Sequence, residues 1–562
     1  MFFGRVRPSL RSEFAGMSLG LTPRQTDLFA TTTSFCESRV PADSIYGLLH
    51  RQCFELFPDE LFADLFTDVG RRSVPPMIVA VVMVLQRLEG CSDREAVDRF
   101  AYDLRWKYAA GGLDFDYPGF VHTVLVDMRA RLAASEAPDR VFEVTLAAAR
   151  EAGMVGRRRV LDSTALFDAV ATMDTVTLIR SAIRGVFAVC TGPVEQELRS
   201  VLARDDDYRA AGRPVCDWDD REAREQLVDV LVKDAQAALR VLDGRELPSA
   251  LASAAELLAT VAGQDVETGE DGRFRIARKV AKDRVISTVD PDARHGHKTA
   301  AHGFDGYKGH VSIDPDSEVI LATAVTAGNA ADAAAVAVLL AADLPAQPAE
   351  TPVSAEMPAT PGPSATPATP ATPEEPLTVY GDSAYGTGAL LDGFEQAGVE
   401  TRCKTQPPRA PGGRFPKSEF LIDLDAGTVT CPAAQTVTLR KLKHGQIARF
   451  RRLCTGCPLA EKCTSSRSGR TIHLGEHERQ LAAARNRQTD PAWRSDYTQT
   501  RPKVERKISH LMRRKHGGRR ARVRGSTKVA ADFQLLAAAV NLARFAVLGL
   551  NHQPTGWALS TS

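Results

Sequence analysis

"RRRVLDSTALF", Arg157 to Phe167, is a short β-type run ending in an acid, Asp162. The segments that follow it decide the fold. From Leu166 to about Ala262 the pattern is amphipathic helix, as in "EQLVDVLVKDAQAALRVL", an inserted helical region. "FDGYKGHVSIDPDSEVILATAVT" then gives two β-like runs around the turn residues Asp314, Pro315 and Asp316, which is a hairpin signal. An Ala-rich helix, "NAADAAAVAVLLAADL", is expected to start at the N-cap Asn329. After a Pro/Ala/Thr-rich stretch comes "LTVYGDSAYGTGALLDGFEQAG": a strand, an acid at its end (Asp382), a Gly-containing turn and a helix. Strand, hairpin, helix and strand predict an α/β fold whose mixed sheet is flanked by helices.

The 562 residues, 44% hydrophobic and 25% charged, suit two to four globular domains rather than a fibre or a tail. Net charge is only +1, yet charge is unevenly spread. Acidic stretches such as "CDWDDREAREQ" offset "PKVERKISHLMRRKHGGRRARVRG", Pro502 to Gly525, which holds ten Lys or Arg and one acid, Glu505. The start has no apolar leader core, and the run Met77 to Leu85 is too short to span a bilayer, so a cytoplasmic protein without membrane contact is expected. Between Ser44 and Ala134 the chain reads as helical, with Ser92 and Glu95 forming a capping box. Two helices joined there fit a plain bundle or a helix-turn-helix, and the stretch is not notably basic. Pro345 to Pro376 is low-complexity sequence that cannot build a core. "AADFQLLAAAVNLARFAVLGL" reads as a buried closing helix.

Acids at the ends of two strands and on a later helix are the pattern expected of ligands converging at a sheet edge. Mg²⁺ or Mn²⁺, hard ions, take carboxylate oxygens and complete their shells with substrate phosphates. Two such ions serve phosphodiester chemistry. On a helical wheel Val504, Ile508 and Leu511 form one stripe with Glu505 at its edge, one turn beyond Arg501.

Four thiols, Cys431, Cys454, Cys457 and Cys463, share one insert, and Cys454 and Cys457 have CxxC spacing. A structural Zn²⁺ or reduced free thiols both fit. His295, His297, His302 and His310 read as loop histidines rather than a second metal site, because no Cys or Glu joins them at ligand spacing.

These motifs resemble the DDE transposases of bacterial insertion sequences. "VLDSTAL" is similar to that family's first Asp motif and "VYGDSAYGTG" to its second. "VDPDARHGHKTAAHGFDGYKGHVSID" resembles its second-strand region, and "RPKVERKISHL…GGRRARVRG" its Glu motif. The N-terminal helical stretch resembles the family's N-terminal domain. Four-cysteine inserts like this one occur in one branch. The family's C-terminal signature is Tyr, two residues, Arg, three residues, Glu, six residues, Lys. Arg501 and Glu505 fit it, whereas Tyr497 lies one residue too far upstream and Met512 takes the Lys place beside Arg513.

The resemblance implies an RNase H-like catalytic domain with Asp162, Asp382 and Glu505 as its metal-binding triad. It also implies an N-terminal all-α region (1–150), a first strand (155–165), a helical insertion (166–285) and a hairpin with its helix (286–344). There follow the Pro/Ala/Thr insert (345–376), a strand and helix (377–405), a small zinc-ribbon-like insert (406–475) and C-terminal catalytic helices with the basic segment (476–552). The implied partner is double-stranded DNA, both element ends and target, held by a dimer or larger assembly. Arg501, Lys503, Arg506, Arg513, Arg514, Lys515, Arg519, Arg520, Arg522, Arg524, Lys298 and Lys308 are the expected phosphate contacts, and the protein is expected at the nucleoid. The implied chemistry is hydrolysis that exposes a 3′-OH, then attack of that hydroxyl on target DNA. A nuclease that cuts without joining, or a silent DNA-binding derivative, are the alternative readings.

Overall fold

The computed structural model describes residues 17–18, 20–21, 31–168, 170–210, 212–299, 302–344, 375–409 and 411–560. Nearly all of the Pro/Ala/Thr insert, and the side chain of Lys298, lie outside the described residues.

The organising element is strand β1, Arg158–Phe167, which is buried along most of its length and is central to a six-stranded mixed sheet. A strand covered on both sides carries apolar residues on both faces, as Val160, Leu161, Ala165 and Leu166 do. Strand β2, Arg294–Thr299, pairs with the first part of β3, His302–Ile313, while β4, Ile320–Ala327, pairs with the rest of β3. β3 runs antiparallel to β1, with Val311 opposite Asp162. On the other side of β1 lies β5, Thr378–Gly381, in parallel, and beyond it β6, Glu400–Cys403, parallel again. The hairpin turn forms where expected: the Asp314 carboxylate accepts the amides of Asp316 and Ser317, each at 2.8 Å.

Helices α1 (Ile45–Leu56), α2 (Pro76–Glu89) and α3 (Asp93–Tyr102) build the N-terminal region. The capping box of Ser92 and Glu95 forms as the sequence indicates. Nearly every residue of α2 is buried, so this helix is core rather than surface. A separate apolar core belongs to α4 (Thr175–Val189), α5 (Arg221–Leu242) and α6 (Ser249–Gln264), the helical insertion. Helix α7 (Gly388–Gln396) follows β5, and α8 (Pro491–Thr500) and α9 (Pro502–Leu511) lead to the closing helix α10 (Ser526–Leu548). α10 is long and apolar enough to cross a membrane, but it packs inside the protein, in one core with α1, α2, β1, β3 and β4. Its Asn541 side chain accepts from the Ile320 amide at 2.9 Å and donates to the Ile320 carbonyl at 2.8 Å, satisfying the edge of β4 inside the core. Residues 421–474 form two three-stranded antiparallel sheets around a small cluster including Phe420, Val429, Phe450 and Ile472.

Three expectations need correction. Asp162 is not at the end of a strand: β1 continues five residues past it, because β3 keeps pairing with that stretch after β5 has ended. The Ala-rich segment is not one long helix but a 3₁₀ turn, Asp332–Ala335, running into a single α-turn, Val336–Leu339. Asn329 does not cap it, since its side-chain amide donates to Asp283 at 2.8 Å. The histidines are not loop residues: His295 and His297 sit on β2, and His302 and His310 on β3.

Candidate active site

Parallel pairing sets the first two acids. Arg158 lies opposite Thr378 and Val160 opposite Tyr380, so Asp162 and Asp382, each two residues further on, emerge side by side where β5 stops. Asp382 turns the chain there: its carboxylate accepts the Ala384 amide at 2.9 Å, and its carbonyl accepts the Tyr385 amide at 3.2 Å. The Tyr385 ring folds back against Gly381, where an added Cβ would lie 2.7 Å from the tyrosine Cβ, so only glycine fits. The Tyr385 hydroxyl is buried without a hydrogen-bond partner among the described residues.

Glu505 arrives on α9. Val504, Lys507, Ile508 and Leu511 form the buried face of that helix, at spacings of three and four residues. A brace beside the sheet fixes the preceding helix: Arg158 donates to Thr500 at 2.7 Å and to Asp496 at 3.1 Å, and Tyr380 donates to Asp496 at 2.8 Å. Nothing in the sequence pattern marks this brace.

Arg501, at the junction of α8 and α9, connects the acids. Its Nη2 lies 2.9 Å from Asp162 Oδ1, and its Nη1 lies 3.5 Å from Glu505 Oε1. The arginine side chain is 7% exposed and Glu505 is 63% exposed, so the pair runs from the interior to the surface. Asp162 also accepts the Ser163 amide at 2.9 Å. Burial pushes the Asp162 carboxyl above its usual range and the Arg501 charge pulls it back, while the neighbouring Asp382 adds to the rise. Among the described residues no group of three or more His, Cys, Asp or Glu is drawn together tightly enough to hold a metal ion.

The expected phosphate contacts divide. Arg501 is buried on Asp162, and Lys308 is turned inward, donating to Asp332 and to the Ala330 carbonyl, each at 2.8 Å. Lys503 pairs with Asp316 at 3.4 Å, Arg506 with Glu318, and Arg522 donates to the Cys91 carbonyl. Arg513, Arg514, Lys515, Arg519, Arg520 and Arg524 are exposed. That strip is fixed by its backbone: the Phe167 amide donates to the Arg519 carbonyl and the Ala521 amide to the Phe167 carbonyl, each at 2.7 Å. It also meets the end of α2, where His516 donates to the Leu88 carbonyl and Arg87 to the His516 carbonyl. Sequence reasoning missed Lys507, although its place one turn beyond Val504 on the apolar stripe signals burial. That burial lowers its pKa to about 8.

His310 is fully buried, bonded through Nε2 to Thr326 at 2.8 Å, and burial pushes it down to about 4. Cys431, Cys454, Cys457 and Cys463 are free thiols lining one small cavity with Phe415 and Phe450. The Arg470 amide points at Cys454 Sγ, 3.4 Å away. Burial raises the Cys463 thiol pKa, and the other three cysteines add to the rise.

Two family models match the chain. One, described as "Transposase DDE domain", covers residues 430–546, and the other, "Transposase domain (DUF772)", covers residues 35–131. The first region includes Glu505, the basic strip and the four cysteines, and both Asp162 and Asp382 lie outside it. No curated protein and no solved structure gives a match.

Proposed function

Because the chain belongs to the insertion-sequence DDE transposases, we propose that it binds the terminal inverted repeats of its own element and catalyses metal-dependent cleavage and strand transfer, with Asp162, Asp382 and Glu505 as its acids. The observation that carries the residue assignment is the parallel register of β1 and β5, which brings Asp162 and Asp382 together, with Glu505 tied to Asp162 through Arg501. A first strand with an antiparallel hairpin on one side and parallel strands on the other supports an RNase H-like reading of this domain. The domain boundaries given above follow from that reading.

The donor set is all carboxylate, which suits Mg²⁺ or Mn²⁺. When bound, such ions supply Lewis acidity toward the phosphodiester and lower the pKa of attacking water. The chain's own part is positional. Asp162 and Asp382 are held by the sheet, and Glu505 stands at the solvent side where a phosphodiester can approach. Arg513, Arg514, Lys515, Arg519, Arg520 and Arg524 line a strip suited to DNA phosphates, with the salt-dependent affinity that counterion release brings. Binding two element ends calls for a dimer or larger assembly. The four cysteines are not drawn together to ligand distance among the described residues, but they share one cavity beside a small apolar cluster, and closing their sulfurs together would let them hold a structural Zn²⁺.

The test is incubation of the purified protein with its flanking terminal repeats and Mg²⁺, wild type beside Asp382→Ala. Cleaved and joined products from wild type alone are expected. Binding without metal-dependent cleavage would favour a silent DNA-binding derivative, and cleavage without joined product a simple nuclease.

A further inference from the structure

The acids of the proposed site do not surround an open hole. Two of them close on a guanidinium. Arg501 contacts the first acid, Asp162, at 2.9 Å and the third, Glu505, at 3.5 Å. Its charge is also felt by Asp382, the second. The side chain is almost completely buried, and its Nε and Nη1 make no hydrogen bond among the described residues. A buried cation with donors left over is poorly satisfied as a structural device, because a guanidinium can donate five hydrogen bonds and a dry site penalises each one left unmade. It is well suited, however, to neutralising carboxylates that would otherwise repel one another in a desolvated pocket.

We infer that Arg501 is a stand-in cation, a positioning residue that holds Asp162 and Glu505 in the ion-free chain and must swing away from them before a divalent ion can be held. This rests on the transposase reading of the three acids. The geometry gives the displaced arginine somewhere to go. Glu505 is largely exposed, so the outer end of the pair already reaches solvent, and a DNA phosphate arriving there offers the fork a bidentate partner. DNA and divalent ion are thereby linked: a phosphate that draws Arg501 outward frees Asp162, so each ligand strengthens the other's binding.

This makes an unusual sign prediction. Removing a positive charge from beside three acids raises any site's cation affinity somewhat, but removing a competitor that occupies the ligands also abolishes the coupling to DNA. Mn²⁺ binding to DNA-free protein, followed by the electron paramagnetic resonance signal of free Mn²⁺, separates the cases. Wild type is expected to bind weakly and to tighten at least tenfold when a terminal-repeat duplex is added. Arg501→Gln is expected to bind at least tenfold more tightly without DNA and to gain less than twofold from it. Arg501→Lys, which keeps one charge but cannot bridge two acids, falls between and serves if the glutamine variant does not fold. Adding Asp162→Asn to Arg501→Gln should remove the gain. Affinity in both arginine variants no tighter than wild type overturns the stand-in role, as does a DNA effect that survives in them. Mn²⁺ binding that ignores Asp162→Asn in every background overturns the carboxylate site itself, and the stand-in role with it.

Discussion

Two regions of the chain gather chemically active side chains by different means. In the sheet, Asp162 and Asp382 are brought together by backbone pairing, on a core that runs from the N-terminal helices to α10. In the segment from 421 to 474, four thiols share a cavity inside a unit whose apolar cluster is small and whose strands are two to four residues long. The acids stand on a fold with a large apolar core of its own, whereas three of the thiols, Cys431, Cys454 and Cys463, belong to the apolar cluster of their unit. An exposed acid such as Glu505 can be altered with little loss of structure, whereas Asp162, which pairs a buried guanidinium, cannot.

The sharpest way to break this comparison is at the thiols. With Zn²⁺ bound, a chelator or Cys457→Ser should remove on the order of 10 kcal/mol of folding free energy from the cysteine unit. Limited proteolysis should then cut between 415 and 474 while the sheet stays protected, and a unit that remains protected without metal would put it in the same class as the sheet. Next in size is Glu505→Gln, expected to lower cleavage by several kcal/mol of barrier, roughly a thousandfold. Melting temperature and DNA binding should hold, since this carboxylate is mostly exposed; a variant that melts early would mean that the acid supports the fold after all.

Acid probes the large core itself. His310 and His516 are both pushed down to about 4 by burial. A histidine kept neutral when folded binds fewer protons than when unfolded, so its stabilisation is complete above its ordinary pKa of 6.5 and is lost as pH falls toward 4. Urea unfolding across that window should show a loss of about 3 kcal/mol per histidine, and His516→Gln should flatten part of it. An unchanged slope in that variant would show that His516 plays no part in the acid response. The smallest effect is at the basic strip. Arg519→Gln with Arg520→Gln should reduce the slope of log affinity against log salt by about 2 and leave the cleavage rate of bound DNA unchanged. A fall in that rate would show the two arginines acting on chemistry rather than on grip.

The sequence made the larger pieces legible where one period repeats over several turns or a turn signal is strong. The hairpin at Asp314, the capping box at Ser92, the buried stripe of α9 and the closing helix all follow from such local rules. What it could not supply was pairing. Asp162 read as a strand end because the apolar run before it stops there, yet β3 carries the strand through Phe167. Lys308 and Arg501 are expected phosphate contacts because long cationic side chains face water by default, and only the tertiary fold shows them committed to Asp332 and Asp162. The Ala-rich segment has high helix propensity over its whole length, but its regular helix amounts to a single α-turn after the 3₁₀ turn.

The clamp between Arg87 and His516 joins residues 429 positions apart. Its consequence lies in time. At 5–20 residues per second of synthesis, α2 waits roughly 20 to 90 s after leaving the ribosome for the segment that covers its end. During that interval the helix packs on its N-terminal neighbours but its end lacks this cover, and the basic strip proposed to grip DNA does not yet exist. A chain cut short before residue 502 would carry neither the basic strip nor Glu505, so the DNA contact proposed above would await synthesis of that segment.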